Sequence, residues 1–150
     1  MLFTYIPPEN STYSQSQGDQ FEQLTQDILN YSDKGDILIC GDFNGRVSTL
    51  HDFIVNDSDV AGNNWNYDNE YNVDSCRFRD NQDKIVTTRG KHILDLCVQS
   101  RLRILNGRTL GDLEGKYTFH NSMGSSTIDY IISSESFLHK IIFYESKQPY

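Results

Sequence analysis

ILICGDFNGR, residues Ile37 to Arg46, is apolar for four residues and then breaks at a glycine, an aspartate and an asparagine. The continuous apolar run over Asp36 to Cys40 predicts a strand covered on both faces, and Gly41 onward predicts a turn at its carboxyl end. Working outward, Phe3 to Ile6 is β-prone and closed by Pro7-Pro8, because proline cannot donate to a ladder and restricts the residue before it. Between these strands, Phe21, Leu24, Ile28, Leu29 and Tyr31 form one helical stripe over Asp19 to Tyr31. Asp19 is its cap, Glu22 stands three residues on, and Gly35 follows its end. Strand, helix, strand gives a layered α/β arrangement.

Downstream, Val47 to Lys84 is rich in Asn, Asp and Ser with turn chemistry such as Gly62-Asn63-Asn64, and predicts a long surface excursion. After Arg89-Gly90, the residues Ile93, Leu94, Cys97, Val98 and Leu102 form a second helical stripe, and Arg103-Ile104-Leu105-Asn106 a strand ending at Gly107. Tyr117-Thr118-Phe119 and Thr127 to Ser133 are further strands, joined through the turn Asn121-Ser122-Met123-Gly124.

Composition bounds what such a fold can do. At 150 residues the chain is one domain's worth. Its 13 Lys plus Arg against 21 Asp plus Glu give a net charge of −8, so a polyanionic substrate needs a local basic rim or a metal ion. Cys40, Cys76 and Cys97 are odd in number and lack metal-ligand spacing, and they read as thiols of a reducing, intracellular compartment, nucleus or cytoplasm. The opening MLFTYIPPENS has no basic region and no apolar span, so neither a signal peptide nor a membrane partner is expected.

Two places stand out chemically. In Thr127-Ile128-Asp129-Tyr130-Ile131-Ile132, alternation puts Asp129 on one face of an apolar strand, where a carboxylate needs a partner. It is either a structural or edge-strand charge, or an acid that orients a catalytic histidine. Asp42 and Asn44 are either ordinary turn residues or a reactive pair projecting beyond a strand's carboxyl end, where α/β sheets gather ligands. In the second case Asp42 can take a proton from water or touch a divalent metal, while Asn44 donates to a phosphoryl oxygen. None of His51, His92, His120 and His139 stands at a motif position.

ILICGDFNGR resembles the GDFN strand end of the endonuclease/exonuclease/phosphatase superfamily, the deoxyribonuclease-I-like fold. FTYIPPENS is similar to the tyrosine-proline strand before that family's F-x-x-L helix, and SSTIDYIISS to its penultimate IDY strand. HILDLCVQSRLRILNGRTLGDLEGKYTFHN is most similar to endonuclease domains of non-LTR (LINE-type) retrotransposons.

The resemblance implies a four-layer α/β-sandwich and Mg²⁺-dependent phosphodiester hydrolysis, with endonucleolytic nicking of DNA as the reaction. Asp42 would be the general base or a metal-proximal carboxylate, and Asn44 would bind the scissile phosphate. Tyr5 would stand at the site and Asp129 would orient a histidine. Asp42 and Asn44 would be the metal residues; Arg46 would touch the nucleic-acid backbone or, as the plainer reading, be a solvated turn residue. The family's Mg²⁺-binding glutamate belongs before Phe3 and its serine-aspartate-histidine strand after Phe143-Tyr144, and neither is in this sequence. Residues 1–150 are therefore expected to be a partial domain, lacking amino-terminal and carboxy-terminal strands, that binds Mg²⁺ weakly and comes from a longer parent fused to a reverse transcriptase. The alternatives are an inactive remnant serving as a binding module, and a phosphatase of the same fold.

Overall fold

The computed structural model describes residues 1–9, 11–12, 19–54 and 78–145. Its elements are β1 (Leu2–Tyr5), α1 (Gln20–Ser32), β2 (Leu38–Asp42), α2 (Thr88–Gln99), β3 (Leu102–Ile104), β4 (Phe119–Asn121), β5 (Gly124–Ser126) and β6 (Asp129–Ser134), followed by a 3-10 helix, Glu135–Lys140. The main sheet is mixed and runs β1-β2-β6-β3, with β1 parallel to β2 and β6 antiparallel to both β2 and β3. No barrel forms among the described residues, and β4 and β5 make a separate hairpin. At its turn, Asn121 accepts from the Met123 N–H at 2.9 Å, as the Asn-Ser-Met-Gly stretch leads one to expect.

Helix α1 starts where Asp19 caps it, its carboxylate accepting from the N–H groups of Phe21 (2.9 Å) and Glu22 (3.4 Å). Leu24 and Ile28 face the sheet, but Leu29 and Tyr31 do not join them. Leu29 lies about 100° round the helix from Ile28. Tyr31 is in the last turn, with the Lys34 ammonium 4.6 Å over its ring. Helix α2 is capped by Thr87, whose hydroxyl accepts from the Gly90 N–H at 3.1 Å.

Both helices lie on one face of the sheet. Leu24 and Ile28 of α1 and Ile93, Leu94, Leu96 and Cys97 of α2 share one core cluster with Ile39, Ile104, Tyr130 and Ile132 of the strands. The opposite face is bare at its β1 end, where Phe3 and Tyr5 are 79% and 64% exposed. The expectation that the Ile37 strand is covered on both faces is therefore corrected: Ile39 is buried while Leu38 and Cys40, on the other face, are half-buried. Two layers are present among the described residues.

The expected surface excursion is corrected at both of its described ends. Val47 and Asp52 are fully buried, as are Phe53, Arg79, Asn81 and Asp83 to within a few per cent. Polar composition suggested solvent, but Asp52, Asn81 and Asp83 have partners inside the protein, which offsets the cost of their burial, and Arg79 bonds the Leu50 carbonyl through one of its nitrogens. Residues 55–77, including Cys76 and the Gly62-Asn63-Asn64 turn, lie outside the described residues. Cys40 and Cys97 are free thiols. No helix of the described residues is long and apolar enough to cross a membrane.

Candidate active site

The register of the sheet assembles three residues that the sequence separates. Tyr5 pairs with Asp42 across β1 and β2, and Asp42 pairs with Asp129 across β2 and β6. Directly paired residues point to the same face, so Tyr5, Asp42 and Asp129 form one row at the carboxyl end of β2, on the face without helices. Gly41 has its own reason to be glycine: a Cβ there would stand 1.9 Å from the Thr4 carbonyl oxygen of β1.

Just beyond the row the chain turns sharply. The Asn44 N–H donates to the Asp42 carboxylate at 2.9 Å, and Asn44 has a φ of 46°, a left-handed conformation that asparagine tolerates. Its side-chain amide donates to the Ile6 carbonyl at 2.9 Å, which ties the turn to the end of β1. The turn-chemistry and reactive-pair readings are thus compatible, since the bonds that shape the turn also fix the carboxylate and carboxamide in space.

Two like charges facing each other across strands are unfavourable. Burial pushes the Asp42 carboxyl above its ordinary value, the Asp129 charge pushes it the same way, and the Asn44 bonds oppose both. Asp42 is consequently a better proton acceptor than a free aspartate. Asp129 is half-buried, and its backbone N–H donates to the Thr118 hydroxyl at 3.1 Å.

Arg46, two residues past Asn44, is held rather than solvated, which corrects the plainer sequence reading. Its guanidinium grips the buried Asp83 carboxylate twice, at 2.6 and 2.7 Å. Asp83 also accepts from the N–H groups of Thr127 (3.0 Å) and Ile85 (3.0 Å). Burial raises the Asp83 pKa, but the Arg46 pair and these N–H donors outweigh it and hold the carboxyl below its ordinary value. Asn81 completes the anchor, accepting from the Asp83 N–H (2.8 Å) and the Thr127 hydroxyl (3.3 Å). The Tyr130 hydroxyl donates to the Thr127 carbonyl at 2.6 Å, with the Gly45 carbonyl at 3.0 Å. These bonds clamp the turn after Asp42 to the start of β6, so that the two carboxylates of the row are held against one another.

Helix α2 supports the same turn from behind. The Thr87 N–H donates to the Arg46 carbonyl, and the Arg46 N–H to the Thr87 hydroxyl, both at 3.0 Å. Gly90 packs so closely that a Cβ would fall 1.8 Å from the Arg46 carbonyl oxygen.

A second buried charge cluster is separate from the row. Asp52 takes two bonds from Arg108 (2.6 and 2.9 Å) and one from the Ile104 N–H (2.7 Å). Burial raises its pKa, yet Arg108 outweighs burial and the carboxyl lies below its ordinary value. Arg103 donates to the Asp52 carbonyl and to Glu135, closing the β3 end of the bare face.

The structure thus gathers Tyr5, Asp42, Asn44 and Asp129 and gives Arg46 the part of an anchor. Asn81, Asp83 and Thr127 were missed by sequence reading, because Asn and Asp in a polar stretch carry no mark that separates a buried network from a loop. The four histidines have other neighbours: His51 lies tilted against Phe53 and Phe78, His92 meets Phe21 edge-on, His120 bonds Ser125 at 2.7 Å, and His139 is in the 3-10 helix. Among the described residues no cluster of three or more His, Cys, Asp or Glu is arranged to hold a metal ion. The oxygens of Asp42, Asn44 and Asp129 suit a hard cation that keeps most of its waters, and they supply part of a coordination shell. Comparison of the chain with known proteins finds no matching family model, no matching curated protein and no matching solved structure.

Proposed function

We propose that the chain is part of a deoxyribonuclease-I-like domain of the endonuclease/exonuclease/phosphatase superfamily, closest to the retrotransposon type, and that it nicks DNA by hydrolysing a phosphodiester. The observation that carries this reading is the row of Tyr5, Asp42 and Asp129 with Asn44 at its end, on the open face of the sheet. Asp42, with its raised pKa, takes a proton from the attacking water. Asn44, fixed through the Ile6 carbonyl, donates to a phosphoryl oxygen as negative charge builds there. The Tyr5 hydroxyl, exposed at the end of the row, bonds the substrate beside them. With no histidine bonded to Asp129 among the described residues, Asp129 in this chain adds its charge to the burial that raises the Asp42 pKa. Asp42 and Asn44 would hold Mg²⁺ through their oxygens, and the ion would supply positive charge that offsets the negative charge building on the phosphate.

In the four-layer form of this fold a second sheet would cover the bare face at Phe3 and leave the row at the carboxyl end of β2 open. DNA is the proposed partner, within an intracellular protein that continues into a reverse transcriptase. A second reading, a binding module without hydrolysis, is favoured by one observation: the row offers only a partial set of metal ligands. Nicking of supercoiled plasmid in Mg²⁺ separates the two, with circular dichroism confirming that wild type and Asp42→Ala are both folded. Nicking that requires Mg²⁺ and disappears in Asp42→Ala supports hydrolysis. A folded wild type that binds plasmid without nicking it supports the module.

A further inference from the structure

The net charge of −8 leaves open how the chain would meet a polyanion at all. One cation stands at the row's edge. Arg89, in the first turn of α2, donates to the Pro7 carbonyl, one residue beyond the Ile6 carbonyl that receives the Asn44 amide. A guanidinium and a carboxamide are thus fastened to adjacent carbonyls of the same extended segment, beyond the carboxyl end of β1. Arg89 is half-buried, and Pro7 is its one hydrogen-bond partner among the described residues, which leaves most of its five donors unspent. The guanidinium lines a cleft of about 380 Å³ together with Ile6, Glu9, Asp19, Phe21 and His92. Two acids share the cleft, Glu9 and Asp19, and the Asp19 carboxylate accepts from the amide groups of its own helix. The first turn of α2 adds the partial positive charge of its backbone N–H groups.

We propose that Arg89 is a second phosphate contact, receiving the backbone phosphate next to the one at Asn44, so that the site takes a polynucleotide strand in preference to an isolated phosphate ester. This rests on the reading of the Asp42–Asn44 row as a phosphodiesterase site. Two fixed contacts on one segment recognise neighbouring phosphates of a strand, and a guanidinium fork suits a phosphate better than an ammonium does. Lys91, exposed two residues on and absent from the cleft, provides a control.

The experiment is fluorescence anisotropy with a labelled DNA duplex and with short single strands, in EDTA so that nothing is cut, over a salt series. Wild type, Arg89→Ala, Arg89→Lys and Lys91→Ala are compared after circular dichroism shows each to be folded. Arg89→Ala is expected to weaken duplex binding by about tenfold and to lower the slope of log K against log salt by about 0.9, the contribution of one phosphate. Arg89→Lys is expected to keep the slope while losing part of the affinity, and Lys91→Ala to resemble wild type. A trinucleotide with two internucleotide phosphates should bind wild type more tightly than a dinucleotide with one, and Arg89→Ala should erase the difference. An unchanged slope in Arg89→Ala, an equal loss in Lys91→Ala, or no oligonucleotide binding by wild type would overturn the proposal. Plasmid nicking reports separately on the row: a chain that binds with the expected slopes yet never nicks keeps the Arg89 contact and loses hydrolysis. A chain that nicks while Arg89→Ala binds unchanged does the reverse.

Discussion

Asp83 and Asp42 belong to the same small region of the molecule and meet opposite neighbours. Asp83 is buried against a guanidinium that grips it twice, and two backbone N–H groups use its remaining lone pairs. Asp42 faces another carboxylate across the sheet and accepts a bond from its own turn. One carboxyl is held below its ordinary pKa and the other above it. The difference separates an acid that holds the fold together from one whose surroundings raise its pKa, the property on which the proposed hydrolysis draws, and the first keeps the second in place. Functional sites commonly carry such local disadvantage, compensated by the structure around them.

The largest test of this contrast is removal of the anchor. Asp83→Ala leaves Arg46 facing a void and the Thr127 and Ile85 N–H groups without acceptors, so it is expected to cost about 3–5 kcal/mol. Asp42→Ala, which relieves repulsion and loses one turn bond, should cost no more than about 1 kcal/mol. Urea unfolding of the two variants side by side measures the gap, and equal losses would break the comparison.

The pH dependence comes next. Asp83 and Asp52 have depressed pKa values in the folded state, so the stability they contribute is present above the unfolded carboxyl value of 3.8 and is lost as pH falls through their folded values. Asp42 runs the other way: its folded pKa is raised, so the stability linked to it is present below 3.8 and lost as pH rises through its folded value. Thermal unfolding from pH 2 to 7 should show a steep acid limb that Asp83→Asn flattens, while Asp42→Asn should gain stability relative to wild type toward neutral pH.

Smaller effects are expected at the row itself. Calorimetry should find Mg²⁺ bound only weakly, because Asp42 and Asn44 offer part of an octahedral shell; tight one-to-one binding abolished by Asp42→Ala would mean that further carboxylates complete it. Asp129→Asn should be neutral or stabilising by at most about 0.5 kcal/mol, since it removes a like charge opposite Asp42. A large loss would place Asp129 in a buried network of its own.

The sequence made the elements of the core legible because their signals are local. Asp19 capping α1, Leu24 and Ile28 on its inner stripe, and the apolar run ending at Gly41 each depend on a few neighbouring residues. The pairing of Tyr5 with Asp42 and of Asp42 with Asp129 depends on register between strands far apart in the chain, which no local pattern encodes. The family resemblance pointed to the same residues without supplying that geometry. Arg46 and Asp83 show the opposite case. Both stand in polar, turn-rich stretches that look solvated, and only the tertiary contact between residues 37 positions apart joins a half-buried arginine to a buried aspartate. The bare sheet face was also hidden, since an apolar strand such as Ile37 to Cys40 does not declare which of its faces will be covered.

Burial, with the facing Asp129 charge adding to it, raises the Asp42 pKa, and the most direct measurement of this is a ¹³C-carboxyl NMR titration of Asp42 in wild type and Asp129→Asn. The Asp42 pKa is expected to lie above the ordinary aspartate value in wild type and to fall part of the way toward it in the variant. An Asp42 pKa at or below that value, or one that Asp129→Asn leaves unmoved, would contradict it.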